Sequence, residues 1–258
     1  MKISKIILYD EPTVPEINIK KIQEFILETF GIEIQIRNNI FENLDKETCE
    51  KIASTRIFNL KKSFENHTPS MKEILIELEN KDMSSKEEVP LYDGIELNKI
   101  VRELIPTTEN TQNTLHIIFT NKLTCTFDEN DFRHHARAWV GSNPIIISTT
   151  GTIEAPAKPK QYYLDLMTSF SEEEIKDVKK KYKGQFLEYN DSRTSQIVEG
   201  YILQTIFYYE TGEVFCDNNQ CRLFNAHWQK DLFISQIDNK KICKKHEDVL
   251  MKIRNNIF

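Results

Sequence analysis

With 258 residues, 39% of them hydrophobic and 29% charged, and a mean hydropathy of −0.50, the chain has the composition of a folded globular protein and not of a peptide, a repeat array or a disordered tail. Its 34 Lys and Arg against 40 Asp and Glu give a net charge of −6, which lacks the basic excess that draws a protein to a phosphate backbone, so no nucleic-acid partner is expected. No apolar run reaches the roughly 18 to 20 residues of a spanning helix, and Asp10 and Glu11 interrupt the start before a signal-peptide core could form; a cytoplasmic protein without a membrane partner is predicted.

In chain order, KIILY (Lys5 to Tyr9) predicts a strand, the spacing of Ile19, Ile22, Ile26 and Phe30 a helix stopped at Gly31, and EIQIR (Glu33 to Arg37) a second strand, which together open an α/β sheet. The pattern from Lys46 to about Glu79 is helical and charged, and Asn80 to Pro90 predicts an exposed loop. LHIIF (Leu115 to Phe119) predicts a strand followed by a polar turn, and Arg137 to Val140 and PIIIS (Pro144 to Ser148) predict further strands. Thr149 to Pro159 carries one Gly and two Pro without a period and reads as a structured loop, followed by a helix over Gln161 to Phe170. In SEEEIKDVKKKY, Ser171 is placed to cap a helix with acids in its first turn and lysines in its last, as the helix dipole favours. A longer apolar helix is predicted from Ser192 to Tyr209, with its stop at Gly212.

The five cysteines carry the strongest chemical signal. Their odd number, without a secretion signal, argues against a disulfide framework and leaves metal binding or burial. Cys216 and Cys221 form C-x4-C, and Cys243 with His246 forms C-x2-H, separated by 21 residues. Two such turns can close a Cys3His tetrahedron around one zinc ion, and with four protein ligands that zinc would be structural; buried free thiols are the competing explanation. The metal would tie the C-terminal helix to the end of the Ser192 to Tyr209 helix. Cys49 and Cys125 lack ligand spacing and are expected in the core.

YDEPT at Tyr9 to Thr13, RHHARAWVGSNPIIISTTGTIEAPAKPKQYY from Arg133 to Tyr163 and FYYETGEVFCDNNQCRLFNAHWQ from Phe207 to Gln229 resemble the archaemetzincin-like metallopeptidases, most closely a mostly archaeal branch of them. The resemblance covers most of the chain. It implies a metzincin-like zincin fold of the α/β (α+β) class in a single domain over 1–258. Residues 1–160 would hold a mixed twisted sheet, and 161–258 a helical, zinc-stapled part behind a long central helix. In that family the zincin helix reads H-E-x-x-H-x-x-G-x-x-H-C, with later cysteines forming a structural zinc site. Anchored on Cys216, the histidine positions fall on Thr205, Tyr209 and Phe215, the glutamate position on Ile206, the glycine on Gly212 and the Met-turn methionine on Leu223. The resemblance thus implies one structural zinc ion and no standard catalytic one, because Thr, Tyr and Phe do not hold a hydrolytic zinc.

Two functions follow. The first is a pseudoenzyme: a non-catalytic or regulatory zinc protein that takes a peptide or protein ligand in the inherited cleft. The alternative is an active hydrolase with a site rebuilt around Glu199, His227 and one of His134 or His135, with a second metal. Adjacent His134 and His135 in a strand point to opposite faces and would not share an ion. Arg133 and Arg137 beside them offer an anion contact. His67 and His116 carry no motif signal, Trp228 is read as a packed aromatic, and the run Phe207, Tyr208, Tyr209 as core.

Overall fold

In the computed structural model, which describes residues 2–79 and 89–255, strands form where the sequence can cover both faces of a sheet. β1 (Lys5–Tyr9) sends Ile6 and Leu8 to one side and Ile7 and Tyr9 to the other, and all four are buried. α1 (Ile19–Phe30) buries Ile22, Ile26 and Phe30 along one stripe; the Asn18 side chain caps its start and Gly31, at φ 69°, ends it. β2 (Glu33–Arg37), α2 (Lys46–Ser54), α3 (Met71–Glu79), β3 (Leu91–Asp93) and α4 (Gly94–Leu104) follow. Then come β4 (Thr114–Thr120), β5 (Leu123–Asp128), β6 (Arg133–Ala136), β7 (Trp139–Val140) and β8 (Ile145–Ser148). The remainder is helical: α5 (Thr149–Glu154), α6 (Lys160–Met167), α7 (Glu172–Lys181), α8 (Thr194–Thr211), α9 (Gln229–Phe233) and α10 (Lys244–Arg254).

The main sheet has the order β2-β1-β4-β8-β7, parallel except for the antiparallel edge strand β7. A smaller sheet, β3-β5-β6, stands beside it. One face of the main sheet, with Leu115, Ile117, Phe119, Ile145 and Ile147, packs on α1 and on Val198, Ile202, Ile206 and Phe207 of α8. The other face meets Ile52 of α2 and Leu97 and Val101 of α4. This is the predicted α/β class, with a mixed sheet ahead of a helical C-terminal part. Ile3 and Ile253, near the two ends of the chain, share one core cluster. Among the described residues no helix is long and apolar enough to cross a membrane.

Four local expectations need correction. The helical stretch from Lys46 to Glu79 is broken between Ser54 and Met71, where Pro69 and the reciprocal Ser70–Glu73 cap begin a new helix. Of the strand expected at Arg137 to Val140 only Trp139–Val140 forms, as β7 of the large sheet, because β6 of the small sheet ends at Ala136 and the chain crosses between sheets at Arg137 and Ala138. β5, with its Thr-rich alternation, stands where a polar turn was expected. Most of the Thr149 to Pro159 loop is α5, where Ser148 caps Gly151 and the Thr149 and Thr150 hydroxyls donate to the carbonyls of Thr120 and Asn121. The exposed loop predicted at Asn80 to Pro90 lies, from 80 to 88, outside the described residues.

The other helices form as their sequences dictate. Ser171 makes a full capping box with Glu174 at the start of α7. α8 is apolar nearly all round and accordingly buried along most of its length. Gly200 in its middle has a packing reason: a Cβ there would lie 1.7 Å from Gln236 Oε1, and Gln236 is buried with its amide bonded to Arg222. Gly200→Ala would gain about 1 kcal/mol of helix propensity but displace Gln236. A net loss of about 1 to 3 kcal/mol in thermal or denaturant unfolding is expected.

Candidate metal centre and cleft

α8 ends at Gly212, φ 78°, and the chain reverses into the loop that carries Cys216 and Cys221. Cys216 N–H donates to the Leu223 carbonyl and Phe224 N–H to the Cys221 carbonyl, which folds this loop back on itself. Cys243 is the N-cap of α10, so His246 sits one turn into that helix on the same side. The four expected ligands, Cys216, Cys221, Cys243 and His246, converge with their ligand atoms all within 4.8 Å of one another. Cys216 Sγ lies 3.8 Å from Cys243 Sγ, Cys221 Sγ 3.8 Å from His246 Nδ1, and Cys243 Sγ 3.0 Å from the same nitrogen. A tetrahedral zinc with Zn–S of about 2.3 Å requires sulfurs about 3.8 Å apart, so the donor set and its spacing fit that ion.

The surroundings favour the ligating form at Cys243 and His246 and oppose it at Cys221. Asn218 N–H donates to Cys216 Sγ at 3.4 Å and Cys243 N–H to Cys221 Sγ at 3.3 Å, the kind of outer contact that orients metal-bound thiolates. Burial pushes the Cys221 thiol up to about 12, with the Cys216 and Cys243 thiols adding to it. Burial acts in the same direction on Cys243, but backbone N–H donors of α10 and the neighbouring thiols outweigh it, and that thiol is lowered. Burial and then Lys245 lower His246, which keeps its imidazole neutral as a metal ligand must be. His246 also packs edge-on against Phe207 of α8, ring centroids 6.0 Å apart, which sets α10 against the central helix. Cys49 and Cys125 are buried and lie outside this centre.

Beside α8 lies a cleft of about 360 Å³. Its walls are Arg137 to Trp139 at the β7 edge, Tyr201, Gln204 and Tyr208 on α8, and Phe215 and Phe224 to His227 beyond it. Most of the positions counted back from Cys216 lie outside this lining. Thr205 and Ile206 are fully buried in the core, Thr205 donating to the Ile202 carbonyl, and Tyr209 reaches away to the Gln112 carbonyl. The cleft face of the helix is carried one residue earlier, by Gln204 and Tyr208. Only Phe215 of the assigned histidine positions lines the cleft. The core reading of the aromatic run holds for Phe207, while Tyr208 belongs to the cleft. Leu223 is core, and Trp228 is partly exposed with Lys160 over its ring.

The alternative catalytic set is not brought together. His227 lines the cleft, but the Glu199 carboxylate is paired with buried Arg222 at 3.3 Å. His134 and His135 do point to opposite faces of β6: His134 is buried beside Asp93 and Phe127, and His135 meets Asp131 on the surface at 2.8 Å. Arg133 is exposed, and Arg137 binds Thr126 through Nε. His67 lies by Glu73, and His116 bridges Tyr9 and the Glu109 carbonyl. Arg222, the internal partner of Glu199, escaped the sequence reading because its contacts lie 14 to 26 residues away.

A family model described as "Probable metallopeptidase family (DUF6775)" matches residues 2–253. Among solved structures the chain is similar to archaemetzincin (amzA) from Methanopyrus kandleri, at 9% identity over 98% of this chain and 97% of that one, with a TM-score of 0.48. It is also similar to a zinc-dependent peptidase from Methanocorpusculum labreanum, at 12% identity over 95% of this chain and 99% of that one, with a TM-score of 0.43. No curated protein matches.

Proposed function

Because the chain belongs to this probable metallopeptidase family, we propose that it is a zinc protein whose hydrolytic centre has been lost and whose cleft is kept as a non-catalytic site for a peptide or protein segment. One observation carries the reading. Among the described residues the cleft lining has a single imidazole, His227, and no Asp or Glu. Hydrolytic zinc needs three protein ligands and a carboxylate to take the proton of bound water. A catalytic zinc does not fit this residue set, and no hydrolytic step is routed through one.

What remains suits binding. β7 is the edge strand of the main sheet, and an edge offers backbone groups to an added extended segment. Trp139, Tyr201, Tyr208 and Phe224 supply aromatic walls that bury apolar side chains. The Cys3His centre would hold one structural zinc ion that fastens the Cys216 loop and α10 beside the C-terminal end of α8. Five cysteines outside any disulfide, three of them in the proposed zinc centre, fit a reducing, cytoplasmic compartment.

The expected zinc content of the purified full chain, after equilibration with zinc and removal of excess, is one ion per chain. Two tightly held ions would contradict the reading, and so would none.

A further inference from the structure

We propose that Gln204 is the polar anchor of the cleft, and that the ligand it selects is an uncharged segment whose amide N–H is flanked by an apolar or aromatic group. The proposal rests on the peptide-binding reading and adds the chemistry that the site recognises. Gln204 lines the cleft and is only 2% exposed. Its Nε2 donates to the Phe224 carbonyl at 3.1 Å and to the Arg222 carbonyl at 3.4 Å. These two acceptors fix the orientation of the amide, because the reverse placement would set oxygen against oxygen. The other end, Oε1, is buried and has no hydrogen-bond partner among the described residues.

A buried acceptor left unmet is penalised, and native structures keep few of them. Here the unmet acceptor belongs to a residue that walls a cavity, so a small shift of its side chain that uncovers Oε1 lets a ligand donor complete it. The surrounding chemistry narrows that donor. The lining has no acid to neutralise an ammonium group and includes Arg137, so a cationic donor would enter without a counter-charge. A lone carboxamide oxygen among aromatic rings is equally poor for a transition metal. A neutral amide N–H fits, and Trp139, Tyr201, Tyr208 and Phe224 would cover the apolar group beside it.

The test uses the intact zinc-loaded protein, 15N-labelled, titrated with three probes and followed through the Gln204 side-chain amide and the Trp139 indole resonances. The probes are N-acetyl-phenylalanine N-methylamide, its fully N-methylated analogue without N–H donors, and phenylalanine N-methylamide with a free ammonium. The first is expected to move both resonances, and the second and third to bind about tenfold more weakly or worse. Gln204→Leu should remove the preference between the first two. If both neutral probes move Trp139 with equal affinity in the native protein, the Gln204 assignment is wrong while peptide binding stands. If none of the probes moves a cleft resonance, the peptide-binding reading falls with it.

Discussion

Cys216→Ser or Cys243→Ser is expected to abolish stoichiometric zinc binding and to lower the thermal midpoint by about 10 °C or more. The size follows from two magnitudes. Structural zinc in finger peptides contributes about 10 to 16 kcal/mol of apparent binding energy that becomes folding energy, whereas a whole domain is stable by only about 5 to 15 kcal/mol. Losing one of four ligands opens the tetrahedron and frees both segments it joins. Amide exchange should therefore accelerate first in the Cys216 loop and in α10, and later in the main sheet. Cys49→Ala is the control: that buried thiol is not a member of the centre, so zinc content should stay unchanged even if packing stability drops. Full zinc content and an unchanged midpoint in both serine variants would refute the Cys3His assignment.

The second large effect is expected at Glu77 of α3. Its carboxylate, 1% exposed, accepts from Arg56 and from the Tyr92 hydroxyl at one oxygen and from Lys122 Nζ at 2.6 Å at the other. Arg56 and Lys122 are themselves only 7% and 5% exposed. Glu77→Gln leaves buried Lys122 without its counter-charge and Arg56 with only the longer contact to Glu73, 4.0 Å from its Nη1, which costs about 3 to 5 kcal/mol. Burial acts to raise the Glu77 carboxyl, but Lys122 and then Arg56 outweigh it and hold it below the ordinary range. A carboxyl lowered on folding stabilises the protein above its unfolded value, near 4.5, and that stability is lost as the pH falls through the lower folded value. Unfolding free energy measured against pH should thus fall steeply in the native protein below about pH 4.5. The Gln variant should start lower and lose less over that range. Equal slopes would mean that Glu77 is not the linked group.

Much of the fold was legible because period and cap agree locally. Ile6 and Leu8 against Ile7 and Tyr9 declare a two-sided strand, and Ser171 with Glu174 declares the start of α7. α5 was hidden because its threonines gain helix only through hydrogen bonds to Thr120 and Asn121, about 30 residues away. The Cys3His cluster was legible because its members come in two short-range pairs that turns can aim together. Which residues of α8 line the cleft was not readable from the motif spacing. Successive helical residues point about 100° apart, so counting back from Cys216 landed on Thr205 and Ile206 in the core, one step past the residues that face the cleft. Such an offset is invisible without the path of the chain between Gly212 and Cys216. The cluster of Glu77 was illegible for another reason: its partners lie 15, 21 and 45 residues away.

The proposed loss of hydrolytic chemistry is tested most directly by incubating the zinc-loaded full chain with a mixed peptide library and following cleavage by mass spectrometry, with and without added zinc. The expected result is no cleavage above the blank under either condition, with peptides retained uncut. Turnover that disappears with a chelator and with His227→Ala would contradict it, and would return the protein to the active peptidases.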